Sequence, residues 1–188
     1  MLFRSDWPGQ SYPGRIVGGT ETGHPKRSRE RFFDGDPAAF ARDLVQIFSM
    51  QRLHPRSPYE KLGGYVHLPR LIDKARLHRK GLLNGYNYKT VGFDKHLLAF
   101  LKIDGDAFEQ IVSRLDEDDA ILKWVQTNGV RHSPDIIELW NQAMISRHPD
   151  TAAKKARFLH FLKEAGGEGR KDIRTYFDLI EFDEGRLK

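Results

Sequence analysis

Four ionisable side chains within seven residues carry the clearest chemistry in this chain. They are Arg70, Asp73, Lys74 and Arg76, in the run Leu68-Pro69-Arg70-Leu71-Ile72-Asp73-Lys74-Ala75-Arg76. Arg70 and Asp73 stand at i, i+3, as do Asp73 and Arg76, and Arg70 and Lys74 stand at i, i+4. These spacings make neighbours on a helix. A guanidinium fork grips a carboxylate or phosphate through two parallel hydrogen bonds, so one reading is a basic pocket for an anion. The other is a structural salt-bridge network, because buried charges must be paired. Leu77 projects to the side of the helix opposite the Leu68, Leu71, Ile72 and Ala75 stripe, among the ionic residues. Cover over Leu77 would bring Arg70 and Asp73 into a partly buried environment.

Two further groups belong with this segment. Tyr86 and Tyr88 alternate on the following loop; their rings either stack on a ligand beside the basic helix or close a core edge with one hydroxyl hydrogen bond each. Asp183 and Glu184 end the last predicted helix, where the dipole disfavours negative charge. They call for a cationic partner, and Arg56, Arg70 and Arg76 are the candidates. The sequence therefore predicts one site built from Arg70, Asp73, Lys74, Arg76, Tyr86, Tyr88, Asp183 and Glu184.

Other chemistries find no support. The chain has no cysteine, which excludes disulfides, thiolate metal sites and a cysteine nucleophile. Its eight histidines include no H-E-x-x-H or H-x-x-x-H, and His67 and His78 are too far apart along a helix to share one metal. Asp94 and His96 are two apart and face different sides of a helix. We expect no metal and no cofactor. Gly63-Gly64 lacks the lysine of a phosphate loop, and no serine stands in a nucleophile elbow.

The elements that position these residues are helices. Residues 1–33 are rich in Gly, Pro and basic side chains and read as a flexible tail. Residues 34–188 read as a single compact multi-helix domain, all-α. Asp36-Pro37 opens a segment bearing Phe40, Leu44 and Phe48. A helix from Leu68 ends at Gly81, and residues 82–92 form a loop or short hairpin. Further helices run from Phe93 to Leu101, from an Asp104 or Asp106 cap, from the acids at 116–119 to Asn128-Gly129, and from Ser133-Pro134. On that last helix Ile136, Ile137, Leu139, Trp140, Ala143 and Met144 form the expected apolar face; Trp124 and Trp140 are expected as buried core anchors. Two more helices span 151–165 and 172–184.

From residue 54 onward the chain resembles an uncharacterised bacterial family, domain of unknown function 5069. The resemblance is carried by Pro55-Arg56-Ser57-Pro58, Leu62-Gly63-Gly64-Tyr65-Val66, the Leu68–Arg76 run, Gly81, Gly92-Phe93-Asp94 and Thr175 through Arg186. It implies a helical fold and supplies no mechanism.

The charge pattern bounds the partners. Residues 51–96 carry a net +7 and residues 97–150 a net −5, within a total of +5. Either the first segment presents an anion-binding surface or the two segments pack together and compensate. No run is apolar enough to span a membrane, and no signal peptide is evident, so a cytoplasmic location is expected. The function expected is a binding or interaction module for an anionic small molecule or an acidic partner. The alternatives are an enzyme on a small anionic metabolite, with an arginine clamp and Asp73 or Asp183 as base, and weak nucleic-acid binding through 51–96. No helix-turn-helix or ribonucleoprotein motif supports the last.

Overall fold

Local signals set where each helix begins and ends. The structure is a computed structural model that describes residues 54–188 apart from Asn84. The expected tail at 1–33 and the helix opening at Asp36-Pro37 lie outside the described residues. The described chain opens with a small antiparallel hairpin, β1 (Lys61–Leu62) and β2 (Tyr65–Val66), with Leu62 opposite Tyr65. Its two-residue turn is Gly63-Gly64, both at positive φ, as a tight hairpin turn requires. Seven helices follow among the described residues: α1 (Leu68–Arg79), α2 (Gly92–Leu101), α3 (Gly105–Arg114), α4 (Asp118–Asn128), α5 (Pro134–Ile145), α6 (Ala152–Glu164) and α7 (Tyr176–Asp183). The fold is all-α apart from the hairpin.

The caps explain the boundaries. Asp104 accepts from the amides of Asp106 and Ala107 and opens α3. Ser133 and Thr151 cap α5 and α6 in the same way. α7 starts later than the expected residue 172, because Thr175 and Asp178 form a reciprocal capping box that fixes the first turn at Tyr176. Among the described residues of the expected loop or hairpin at 82–92, Tyr86 makes an isolated bridge and no strand forms.

α1 is the central element. Leu68, Leu71, Ile72 and Ala75 are buried as their spacing predicts, and they meet Leu97, Leu98 and Leu101 of α2, Phe108 and Val112 of α3, and Ile121 and Val125 of α4. A second cluster joins Phe158 and Leu162 of α6 to Ile173 and Leu179. A third joins Val66, Phe93, Met144, Phe177 and Ile180.

The apolar face expected on α5 is covered on one side only. Met144 is buried and Ile137 and Trp140 are half-buried, but Leu139 is 68% exposed and Ile136 45%, with Ala143 exposed beside them. The buried centre of α5 is instead Asn141, whose Oδ1 accepts from the Val66 amide (3.1 Å) and whose Nδ2 donates to the Gly64 carbonyl (2.8 Å). A polar side chain thus fixes the hairpin to the helix. Trp124 and Trp140, expected as buried core anchors, pack against the main core cluster but are only half-buried, in keeping with the size of the indole. Trp140 stacks on Phe100 (5.0 Å between ring centres), which stacks in turn on His132 (4.0 Å).

Gly129 ends α4 where the backbone is crowded. A Cβ there would lie 2.9 Å from the carbonyl oxygens of both Leu101 and Val125. Gly129→Ala should therefore destabilise the chain by about 1–3 kcal/mol through overpacking against immovable backbone. Gly81→Ala meets nothing within 4 Å and carries only the strain of its positive φ, on the order of 1 kcal/mol. Urea unfolding midpoints should rank Gly129→Ala as the more damaging; the reverse order would show that the α2 and α4 ends can separate.

Candidate functional site

Burial of α1 extends beyond its apolar stripe. Arg70 and Lys74, on the other side, are also buried, so each needs a partner. Arg70 is 1% exposed and grips Glu184, whose carboxylate is 2% exposed. Nη1 donates to Oε2 at 2.9 Å and Nη2 to Oε1 at 2.5 Å, and Nη1 also donates to the carbonyls of Arg56 (2.9 Å) and Pro55 (3.2 Å). Arg186 joins the pair, bonding Glu184 and Glu181. Burial alone pushes the Glu184 carboxyl up, but the hydrogen bond and charge of Arg70, with Arg186, outweigh it and hold the group below its usual range.

A second network lies alongside. Arg56 places Nε on Asp73 Oδ2 and Nη2 on Asp73 Oδ1, both at 2.8 Å, and Nη1 on Asp118 at 2.6 Å. Its own amide also donates to Asp73 (2.9 Å). Arg76 reaches the other oxygen of Asp118 at 2.9 Å. Burial raises Asp118, and the hydrogen bonds and charges of Arg56 and Arg76 reverse that and lower it.

The third network sits where α1 meets α2. His67 precedes α1 in the left-handed conformation, φ 67°, and is 2% exposed. Such a backbone costs a non-glycine residue roughly 1–3 kcal/mol and clusters at functional positions. The His67 amide is held by the carbonyls of Pro58 (3.0 Å) and Glu60 (3.2 Å). Its Nε2 meets Asp94 Oδ1 at 2.7 Å, and Lys74 bonds the same oxygen and the Asn87 carbonyl (3.1 Å). Asp94 Oδ2 accepts from the Lys89 amide. Burial raises the Asp94 carboxyl, but the Lys74 charge and the His67 hydrogen bond more than reverse it, to about 2. Burial lowers His67 to about 4 despite Asp94. The imidazole is therefore neutral at pH 7, and its contact with Asp94 is a hydrogen bond in which Nε2–H donates to the carboxylate. Among the described residues, Nδ1 has no hydrogen-bond partner.

A small cavity opens at this third network. It is lined by His67, Arg70 and Lys74 and by Val91, Gly92 and Phe93, where α2 begins. The N-cap of α2 is Val91, and no side chain caps this end. The amides of its first turn have no intrahelical acceptor, and the helix dipole makes the end positive.

The expected single site thus divides. Arg70 and Glu184 pair directly, as the dipole argument required. Asp73 and Arg76 belong to the Arg56–Asp118 network, which touches the first through the Arg56 carbonyl. Lys74 belongs to the third network. Asp183 closes α7, half-buried. Tyr86 and Tyr88 are buried and offer no open stacking face: the Tyr86 hydroxyl bonds His54 Nδ1 (2.6 Å) with the Arg70 guanidinium 5.5 Å from its ring centre, and Tyr88 packs on His78 at 5.1 Å. Sequence reasoning missed the pairing of His67 with Asp94, which lies 27 residues away. The one available signal was a carboxylate in the first turn of α2.

Part of the charge asymmetry is neutralised between the two segments. Arg56 and Arg76 pair with Asp118, Lys89 with Asp106 and Glu109, His78 with Glu109, and Lys61 with Glu138. The acidic segment thus compensates part of the basic one, while Arg70 pairs with Glu184 and Lys74 with Asp94 of its own segment. Among the described residues no group of three His, Asp or Glu side chains could hold a metal ion, and no helix is long and apolar enough to cross a membrane.

Fold and site together define an all-α domain whose central helix is buried through ion pairs as well as apolar packing. Residues 52–186 match the family described as Domain of unknown function (DUF5069), and the chain belongs to it. No curated protein matches the sequence.

Two outcomes follow. Arg70→Met alone should cost about 3–5 kcal/mol, since it strands a buried carboxylate, whereas Arg70→Met with Glu184→Leu should recover most of that; a double variant no better than the single one would show the pair is not a closed unit. The second concerns pH. His67 has a folded-state pKa of about 4 against 6.5 in the unfolded chain, so the unfolded chain takes up this proton first. Its contribution is whole above pH 6.5 and declines as pH falls to about 4, by about 3 kcal/mol. The Asp94 contribution, with the folded pKa about 2, is lost only at lower pH. Stability measured from pH 7 to 4 should fall less steeply in His67→Gln; equal slopes would remove His67 as the source.

Proposed function

We propose that this chain is a binding module for a small oxyanion, held in the cavity between α1 and the start of α2. One observation carries the reading. The start of α2, which no N-cap side chain closes, borders a cavity lined by two cations, Arg70 and Lys74, and by the neutral His67, whose buried Nδ1 has no hydrogen-bond partner among the described residues. Helix N-termini favour anions because their amides point outward and their dipole is positive there. The Lys74 ammonium has three donors and directs two of them to Asp94 and Asn87. The enclosed space takes roughly one water-sized group, so one oxygen of the anion enters and the remainder stays at the mouth.

The same geometry weighs against the other readings. Asp73 accepts three hydrogen bonds from Arg56, which removes the lone-pair freedom a general base needs. Arg56, Lys61, Arg76 and Lys89 lie against carboxylates of 97–150, which speaks against a continuous stripe for a nucleic-acid backbone.

Titration with inorganic phosphate at constant ionic strength, followed by amide NMR, tests the proposal. The amides of Val91, Gly92, Phe93 and Asp94 should shift and saturate, and those of α6 should not. If no α2 amide moves beyond a chloride control, the anion-binding reading is wrong.

A further inference from the structure

α5 is buried on one side, and its other side carries apolar residues that nothing in the described chain covers. Asn141 and Met144 face inward, with Ile137 half-buried. At 100° per residue, Leu139, Ala143 and Ile136 fall within about 60° of arc on the outward side. Leu139 is 68% exposed, more than any other large apolar side chain among the described residues, and Ile136 is 45% exposed. One exposed leucine needs no explanation, but three apolar residues on successive turns of a helix form a contact stripe.

The polar residues around the stripe are of two kinds. Those at its middle are already satisfied: Lys61 pairs with Glu138 (3.0 Å), Gln142 donates to Glu138 (2.7 Å), and the Ser146 hydroxyl donates to the Gln142 carbonyl (2.7 Å). Those at its ends are charged, exposed and, among the described residues, without an ion-pair partner: Asp135 in the first turn and Arg147 just beyond the last. The two ends thus carry opposite signs. A second copy of the helix laid antiparallel brings each Asp135 toward the other copy's Arg147, whereas a parallel copy sets like charge against like. One two-fold axis, level with Asn141, satisfies both features at once. It relates Asp135 to Arg147 and places Leu139 over Ala143, a large side chain over a small one. Such self-complementarity is what a two-fold interface requires.

We propose that the exposed face of α5 is a self-association surface, on which two copies of this chain pack the helix antiparallel, Leu139 against Ala143 and Asp135 against Arg147. A stripe three turns long is smaller than the roughly 800 Å² per partner that stable complexes bury. The dimer is therefore weak, with a dissociation constant on the order of 100 μM. It is independent of the anion-binding reading, since α5 does not line that cavity.

Sedimentation velocity on the full chain, from about 10 μM to about 1 mM, should show the mean mass rising with concentration toward that of two chains. Salt at about 1 M should reduce the rise by screening the end pairs. Leu139→Glu should leave the chain monomeric throughout. Asp135→Arg and Arg147→Asp should each self-associate at least about tenfold more weakly than the parent, because each sets like charges together at both ends. Mixed in equal amounts, these two variants should recover the parent's affinity, since every end pair is then of opposite sign; a folding defect cannot produce that recovery. A parent chain that stays monomeric assigns the face to another occupant and overturns the proposal. A dimer that survives Leu139→Glu overturns it by placing the contact elsewhere. Single charge variants that dimerise like the parent, or a mixture that stays monomeric, overturn the antiparallel pairing.

Discussion

The burial of the Arg70 guanidinium is the constraint on which the rest of the structure depends. A charge taken out of water on the central helix must be neutralised where it lies. Glu184 supplies the neutralisation from beyond the last helix, and the carbonyls of Pro55 and Arg56 accept from the same guanidinium at Nη1. Two stretches of chain, 55–56 and the end of α7, are thus fixed to one side chain. Arg56 is held in place by that contact and by Asp73, and so it reaches Asp118 and draws the start of α4 toward α1. The apolar core is built on the opposite side of the same helix. α1 therefore has no solvent side in its first two turns, and the fold is arranged around it.

The polar side of α1 is graded. The Arg56–Asp73–Asp118–Arg76 network is partly open to water, and it neutralises two cations of residues 51–96 with one carboxylate of that segment and one of 97–150. The His67–Asp94–Lys74 network is the most deeply buried and the least saturated. It combines a left-handed backbone at His67, an orphan ring nitrogen and an uncapped helix end. A network retained only for stability would be expected to close these valences. Their convergence on one cavity is the reason the functional reading falls there and not on the arginines that the sequence made most prominent.

Much of the fold was legible because its signals are local. The Leu68, Leu71, Ile72, Ala75 spacing, the Asp104, Ser133 and Thr151 caps and the Asn128-Gly129 stop each act within a few residues. The hairpin was missed because two-residue strands show no alternation to detect. The α5 face was overextended because spacing identifies an apolar stripe but not what covers it, and Asn141 took the buried position. For the site, the dipole argument brought Glu184 to an arginine correctly. Asp73 and Arg76 went elsewhere because a helical spacing that allows a pair does not exclude a better partner such as Arg56 or Asp118. The His67–Asp94 contact depends on how α1 and α2 pack, and no pattern along the chain encodes it.

The span of the Arg70–Glu184 clasp has a consequence for how the polypeptide comes into being. The two residues are 114 positions apart, and Arg186 meets the Pro55 carbonyl across 131. During synthesis the N-terminal partner emerges first, and α1 to α4 can gather their apolar faces long before the carboxylate exists. Closing so long a loop is entropically costly and falls late. Until then the guanidinium stays hydrated, which keeps the polar side of α1 open and leaves the start of α2 accessible to water. A nascent or C-terminally clipped chain therefore lacks the partner of the arginine at its centre and exposes an unfinished surface.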